Sequence, residues 1–421
     1  MRRPSIPGIV PLALAGFALM ASYGIVRPLA RAVFSFEARF MLWGMAATPL
    51  LVTLLIWPYG LALTRLGPRR TVLWCTALSG LLLALPLLIR HPYLTFFLYV
   101  WKDVYVVLLV EQFWSLSNSM HTVASGKRSF GVLLFIGGLG AVFGNQLVAL
   151  LAEPLGSWTV YQGSILLLLP FAYFISRAHI ALGHSDPGPA RADAPGAAGL
   201  AVLARSPYLL TIAAIVALGQ VMAGALEVVF TQHVAATYGT GDFVAKAQDA
   251  RAAFEGRFWT WVNLGSMSMQ LVTPLILSLL AIPTIHLLIP IAHLLAIGLL
   301  LFYPSLHTAA FAFAWFKVVD YSLFRASKEV LYVPLDFDAR YRAKMLIDMT
   351  IYRTAKGGSG MLLYLLGTAV ATFGRMLTIA ALVGATLWTV FAWKIRLGFA
   401  KIEKRPQDRH VDNQKGGTRV C

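Results

Sequence analysis

The sequence predicts an all-α integral membrane protein with twelve transmembrane helices, arranged as two pseudo-symmetric six-helix bundles. Of its 421 residues, 58% are hydrophobic and only 13% are charged, and the mean hydropathy of +0.71 is too high for an ordinary soluble protein. Apolar runs of about 20 residues, long enough to cross roughly 30 Å of hydrocarbon, recur from end to end. A polar segment near the middle leaves six of these runs on each side.

The predicted spans lie at residues 8–32, 39–64, 71–89, 93–119, 129–152, 157–178, 207–234, 257–281, 283–303, 306–334, 346–371 and 374–396. The first run follows Met1-Arg2-Arg3 and imitates a signal peptide, but it continues to Arg31 without a convincing cleavage site. We therefore interpret it as a retained span.

The middle of the chain predicts the domain boundaries. Residues 181–206 are rich in Gly, Pro and Ala, as in His184-Ser185-Asp186-Pro187-Gly188-Pro189, a composition typical of a flexible linker. The predicted domains are an N-terminal bundle (1–180), a cytoplasmic linker (181–206), a C-terminal bundle (207–397) and a basic cytoplasmic tail (398–421).

The net charge of +17, from 35 Lys and Arg against 18 Asp and Glu, does not indicate a nucleic-acid polymer as partner. Basic groups precede the first span and follow the second, fourth, tenth and twelfth spans, which places them on one side of the bilayer. The positive-inside rule then predicts that both termini are cytoplasmic. The loop after span seven also carries charges, namely Asp242, Lys246, Asp249, Arg251, Glu255 and Arg257.

The segment from Gly60 to Arg70 resembles the loop signature of the major facilitator superfamily, although Thr64 stands where an acidic residue is usual. Two six-span halves joined by a cytoplasmic loop are the layout of that superfamily, which holds substrate between the halves near the midplane. A cytoplasmic turn with snorkelling arginines explains the segment alone, so the prediction depends on the span count as well.

Charged residues inside the predicted spans are the main candidates for function, because an ionised group at the bilayer centre costs roughly 2.5 kcal/mol or more. On an α-helix, Lys317, Tyr321, Arg325 and Lys328 of span ten fall within about an 80-degree arc, which predicts one basic stripe. Asp320 and Glu329 flank this stripe, where they can neutralise it or carry a proton.

Span four carries a second, acidic stripe formed by Asp103, Glu111 and Asn118, with Lys102 beside Asp103. Spans four and ten are equivalent in the two halves, so the two stripes can face each other across a central cavity. Structural salt bridges between the bundles are the alternative, and pairs that break and re-form would also serve as gates.

Spans one, seven and eleven contribute further candidates. Arg27 lies deeper in span one than Arg31, for which snorkelling is an alternative, and Glu227 of span seven is a candidate for proton coupling or for a pair with Arg27. In span eleven, Lys356 precedes Gly357-Gly358-Ser359-Gly360 and suits a phosphate or carboxylate as a compact charge. Gly140 and Gly144 of span five are expected to allow close helix packing.

A family resemblance rests on two runs of sequence. Tyr321 to Leu335, followed by Arg342-Ala343-Lys344, Asp348 and Lys356 to Gly360, resembles the ATP/ADP translocase family of plastids and intracellular bacteria. The resemblance implies transport of a phosphorylated anion, either as ATP/ADP exchange or as proton-coupled uptake. It also implies substrate-handling or gating roles for Lys328, Glu329, Asp348 and Lys356.

The chain departs from the family pattern at two places. Glu227 matches the family's glutamate in span seven, but Phe230-Thr231 stands where Trp-Lys is expected, and a span-one lysine is represented by Arg27 or Arg31. These departures weaken the case for ATP as the substrate more than they weaken the case for an anion in general.

Enzymatic function is not expected, because the nine histidines show no metal-ligand spacing and the chain lacks a phosphate-binding Gly-x-x-x-x-Gly-Lys loop. No metal or cofactor is predicted.

We expect a secondary transporter of a small anionic solute in a bacterial inner membrane, with proton coupling as one mode and an oligomeric state that the sequence leaves open. Alternatives are a carrier of another organic anion such as a carboxylate siderophore, a lipid flippase, or a membrane receptor or assembly factor.

The expected site residues fall into two groups. Substrate binding is assigned to Arg27, Lys317, Lys328, Arg353 and Lys356. Coupling or gating is assigned to Asp103, Glu111, Asn118, Glu227, Asp320, Glu329 and Asp348.

Overall fold

The computed structural model describes residues 8–34, 36, 40–120, 123–182, 196–239, 245–332, 335, 343–344, 346–366 and 370–415, and all regular structure in these ranges is helical. The α-helices are α1 (Ile9–Ala32), α2 (Met41–Leu88), α3 (Pro92–Met120), α4 (Val123–Leu155), α5 (Ser157–Leu166), α6 (Leu168–Leu182), α7 (Gly196–Arg205), α8 (Pro207–Tyr238), α9 (Ala245–Leu279), α10 (Ile282–Phe302), α11 (Leu306–Val319), α12 (Arg325–Tyr332), α13 (Tyr352–Leu366) and α14 (Val370–Lys415). Two π-helical segments, π1 (Asp320–Phe324) and π2 (Leu346–Ile351), precede α12 and α13.

Nine helical stretches in the described part of the chain are long and apolar enough to cross a membrane, and Met41–Leu55 is a shorter apolar helix. These ten stretches correspond to ten of the twelve predicted spans. In the regions of predicted spans ten and eleven, 306–334 and 346–371, the described helices are interrupted by π1 and π2 and are each shorter than a full span.

The turn between the second and third predicted spans lies inside α2. Gly67 adopts a φ of 74° and a ψ of 166°, so the long helix consists of two helices joined at this residue. This left-handed backbone region is open to glycine at little steric cost, and Pro68 follows it directly. The sequence prediction of two separate spans is confirmed here.

The first compact unit contains Met1–Ala190 together with Thr231–Met267. Its central helix is α1, which packs against α3, α4, α5 and α6. A side chain at Gly140 would meet the Phe17 carbonyl, and one at Gly144 would meet the Ala21 carbonyl. The expected role of these two glycines in close helix packing is therefore confirmed.

The second compact unit contains Arg191–Phe230 together with Ser268–Cys421. Its helix α10 packs against α11 and α14, and the Trp388 side chain contacts the rings of His293 and Phe324 at centroid distances of 5.6 and 5.0 Å. Helix α11 begins with a capping box, in which the Ser305 hydroxyl accepts from the Thr308 backbone and Thr308 accepts from the Ser305 backbone.

Two segments differ from the sequence expectation. Helix α7 occupies residues 196–205 of the expected linker, where the Ala- and Leu-rich sequence GAAGLAVLAR favours a helix. Helix α14 continues from the last span to Lys415 through the region expected to be a tail. The limits of the two bundles stay a prediction.

Candidate functional site

In the second unit, four basic side chains lie within electrostatic range of one carboxylate. Asp320, the first residue of π1, interacts electrostatically with Lys317, Arg325, Lys328 and Lys356. We call these five residues the Asp320 cluster. The aromatic side chain of Tyr352 also lies within electrostatic range of Asp320 and Lys356. Three of the predicted substrate-binding cations, Lys317, Lys328 and Lys356, are thus gathered around a predicted coupling residue.

The π1 segment changes the positions of the charged residues of span ten around the helix axis. A π-helix holds more residues per turn than an α-helix, so Arg325 and Lys328 are rotated away from the positions that a continuous α-helix would give them relative to Lys317. That Lys317, Tyr321, Arg325 and Lys328 form one basic stripe stays a prediction. Lys317 is buried, with its ammonium 5.5 Å from the centroid of Phe313, whereas Arg325 is exposed.

Lys328 also forms a direct ion pair. Its ammonium lies 2.5 Å from the Asp348 carboxylate, and the two side chains are 13% and 28% exposed. This pair ties α12 to π2 across 20 positions of the chain. A carboxylate held at a basic site by a salt bridge can be exchanged for a substrate phosphate, because both groups offer the same kind of charged acceptor.

Glu329 lies apart from this arrangement. Its carboxylate pairs with Lys344, and its side chain is 46% exposed. The side chain of Arg353 lies outside the described residues.

In the first unit, Arg31 forms a buried ion pair that the sequence reading missed. Its Nε lies 3.0 and 3.1 Å from the two carboxylate oxygens of Glu255, and its guanidinium donates to the Thr231 hydroxyl at 2.6 Å. The Arg31 and Glu255 side chains are 1% and 0% exposed. The snorkelling alternative for Arg31 is therefore wrong, because the side chain has a charged partner inside the protein.

Trp259 connects this pair to Arg27. The indole Nε1 donates to Glu255 at 3.2 Å, and the Arg27 guanidinium lies 3.2 Å from the centroid of the Trp259 ring. Such a cation–π contact holds an arginine over an aromatic face without neutralising its charge. Glu255 was missed because it was assigned to the loop after span seven, whereas α9 already begins at Ala245. Trp259 lay inside predicted span eight, but the sequence indicated no partner for it; on α9 the two residues are one turn apart.

The predicted acidic stripe on span four is partly neutralised within its own unit. The Asp103 carboxylate accepts from Lys102 at 2.7 Å and from the Tyr23 hydroxyl at 3.1 Å. Glu111 is exposed on α3, and Glu227 is half-buried on α8. The side chain of Asn118 lies outside the described residues. Within the part of the chain that the structure describes, no three His, Cys, Asp or Glu side chains are grouped to hold a metal ion.

Residues 194–403 match the family model described as TLC ATP/ADP transporter. The match covers 210 of the 421 residues, which is just under half of the chain. The match contains the whole Asp320 cluster, and the resemblance read from Tyr321 to Gly360 is confirmed.

Two curated relatives extend the similarity into the first half of the chain. The chloroplastic ADP,ATP carrier protein 2 of Arabidopsis thaliana is 23% identical over 330 residues, which cover 70% of this chain and 51% of the relative. ADP,ATP carrier protein 1 of Chlamydia trachomatis is 24% identical over 339 residues, covering 69% of this chain and 62% of the relative. The chain therefore spans about half to three fifths of the length of these relatives.

Solved structures give the fold. The nucleoside transporter NupG superimposes with a TM-score of 0.66 at 14% identity, covering 94% of this chain and 99% of that chain. A bacterial homologue of the human lysosomal transporter Spinster superimposes with a TM-score of 0.62 at 12% identity, covering 94% and 97%. The predicted all-α, multi-pass membrane fold of the major facilitator type is confirmed.

Proposed function

We propose that this protein is a secondary active transporter that moves a phosphorylated anion, such as ATP or ADP, across the membrane by alternating access. The observation that supports this most directly is the Asp320 cluster, where Lys317, Arg325, Lys328 and Lys356 all lie within electrostatic range of one carboxylate. The cluster carries four positive charges against one negative charge, and this excess of positive charge suits a substrate phosphate. The cluster lies in the part of the chain that matches the ATP/ADP transporter model.

The ion pairs of the described residues suggest how such a carrier releases its substrate. In this proposal Lys328 alternates between the Asp348 carboxylate, 2.5 Å away, and a phosphate oxygen of the substrate. Asp320 would hold the remaining cations together while no substrate is bound. These cations then attract a phosphate less strongly than an unshielded cluster would, which favours release of the substrate.

The remaining predicted residues take supporting roles in the proposal. Arg27, held over the Trp259 ring, and Arg353 would add positive charge along the substrate path. Asp103, Glu111, Asn118, Glu227 and Glu329 would pair with cations in one state and lose those partners in the other. Proton coupling through one of these carboxylates is the alternative to nucleotide exchange. The proposed location is a bacterial inner membrane with both termini cytoplasmic.

Uptake into proteoliposomes tests this function and separates the two modes. Vesicles preloaded with ADP and vesicles without nucleotide are given labelled ATP, each with and without an inward proton gradient. Exchange predicts uptake that requires internal ADP, whereas proton coupling predicts uptake that requires the gradient. A carboxylate siderophore and a labelled phospholipid serve as the alternative substrates. Lipid movement without uptake of any phosphorylated solute would contradict the proposal.

Lys356→Ala is the variant that links transport to the cluster. We expect ATP uptake to fall by about tenfold or more, because one charge-assisted contact to phosphate is worth roughly 1.5–3 kcal/mol. Lys394→Ala is the matched control, since Lys394 is an exposed lysine in the middle of α14. Equal uptake by the Lys356→Ala variant and the wild type would remove Lys356 from the site.

A further inference from the structure

A cavity with several polar lining residues lies in the first unit, among residues that the proposed function does not use. It has a volume of about 250 Å³ and lies between the end of α1, the α2–α3 connection and the starts of α5 and α9. Its polar lining includes Arg90, His91, Ser157, Thr159 and Asp249. The volume suits a phosphate, diphosphate or small dicarboxylate group and is smaller than typical ligand pockets.

The amino-terminal end of helix α5 opens into this cavity and already accepts a negative charge. The Ser157 backbone N–H donates to the Asp249 carboxylate at 2.6 Å. Free backbone N–H groups and the helix dipole make such an end favourable for anions. Asp249 belongs to α9, so this carboxylate is supplied from 92 positions further along the chain.

The Ser157 side chain is a second, independent indication of a ligand. Its hydroxyl is buried, with the residue 1% exposed, and it has no hydrogen-bond partner among the described residues. A buried hydroxyl that is left without a partner costs roughly 1–3 kcal/mol, and Ser157 is one of the residues that line the cavity.

A basic side chain completes the lining. Arg90 is exposed, with its guanidinium 5.0 Å from the centroid of the Trp158 ring, so its position is restrained while its N–H groups stay available to solvent. The Nδ1 atom of His91 accepts from the Tyr93 backbone at 3.3 Å, which leaves Nε2 as the donor of the ring.

We infer that this cavity is a second anion-binding site, separate from the Asp320 cluster. A phosphate or carboxylate group would replace Asp249 at the start of α5, accept from the Ser157 hydroxyl and pair with Arg90. Asp249 of α9 then competes with the ligand for the Ser157 backbone N–H. When the ligand displaces Asp249, this hydrogen bond between the start of α9 and the start of α5 is lost. The inference goes beyond the proposed function and does not depend on transport.

Protection of an engineered cysteine tests the site in purified protein. Thr159 is exposed and lines the cavity, so Thr159→Cys is introduced into a Cys75→Ser, Cys421→Ser background and labelled with a thiol reagent. Pyrophosphate at about ten times its Kd is expected to slow labelling by about fivefold or more. Inorganic phosphate and malonate, tested in parallel, show whether the site takes phosphate or carboxylate groups. Thr64→Cys, an exposed position on α2, controls for direct effects on the reagent.

Two added substitutions identify the contacts. Arg90→Gln is expected to raise the Kd for pyrophosphate by about tenfold, while Arg65→Gln, another exposed arginine, leaves it unchanged. Asp249→Asn is expected to lower the Kd, because the competing charge is gone. If the Arg90→Gln variant does not fold, the Ser157→Ala variant is measured in its place.

The inference is overturned if no anion slows labelling, or if protection is the same in the Arg90→Gln and Ser157→Ala variants as in their parent. Arg90-dependent protection in a protein that transports no nucleotide would leave this site in place and reject the proposed function instead. Nucleotide uptake by a protein in which no anion slows labelling would reject this site and leave the proposed function in place.

Discussion

Arg31 and Glu255 are 224 positions apart in the chain, yet their side chains form a buried ion pair. The sequence could identify Arg31 as an arginine inside a span, but it could not supply its partner. Pairing depends on which helices meet, and Glu255 had been assigned to a loop. By contrast, Lys328, Asp348 and Lys356 were predicted together, because the family resemblance places all three in one short stretch.

Glu255→Gln is expected to destabilise the protein by roughly 3–5 kcal/mol, because it leaves the Arg31 charge buried without a counter-charge. Thermal unfolding in detergent measures the loss. The double variant Arg31→Met, Glu255→Met is expected to recover much of the stability, since it removes both charges. Additive losses in the double variant would show that the two side chains do not interact.

Asp320→Asn is expected to tighten ATP binding by about fivefold, because removing one negative charge near four cations strengthens their attraction for phosphate by about 1 kcal/mol. Turnover is expected to fall, since release becomes slower. Equilibrium binding and exchange rates measure the two effects. Glu153→Gln is the control, as Glu153 is exposed on α4. Weaker ATP binding in Asp320→Asn would instead assign Asp320 a direct contact with the substrate.

At the scale of single elements, most helices follow from apolar length, whereas their interruptions follow from local packing. The turn at Gly67 was predictable, since glycine and proline stand together there. The π1 and π2 segments were not predictable, because no residue type signals a π-helical turn. Such turns are frequently found at functional sites, which agrees with the position of Asp320.

Gly144→Val is expected to destabilise the contact between α1 and α4, because the added side chain would collide with the Ala21 carbonyl, a backbone atom that cannot move aside easily. The expected loss is about 1–3 kcal/mol, typical of overpacking. Gly131→Val on the same helix has no neighbour within 4 Å and is the matched control. Thermal unfolding compares the two variants; equal stability would show that the close approach of α1 and α4 is not required.

At the scale of the whole molecule, composition and apolar periodicity were sufficient to predict a helical multi-pass membrane protein. The structural likeness to NupG at a TM-score of 0.66 confirms that fold. The first compact unit combines the first half of the chain with parts of α8 and α9. No shift in composition along the sequence indicates this grouping.

The predicted orientation is tested with reporter fusions. A fluorescent protein placed after Lys415 or between residues 183 and 195 is expected to fluoresce, because both positions are predicted to be cytoplasmic. Alkaline phosphatase inserted between residues 240 and 244 is expected to be active, since that position lies across the bilayer. Active phosphatase at the carboxyl end would invert the proposed topology.

The sequence by itself determined the membrane class, ten span positions, the family resemblance and the candidate charges of spans ten and eleven. These depend on hydropathy and on residues close together in the chain. Only the tertiary structure decided that Arg31 pairs with Glu255, that Trp259 holds Arg27, and that Asp249 lies at the start of α5. Those contacts join distant segments, and their energies arise from burial and geometry that a linear pattern does not contain.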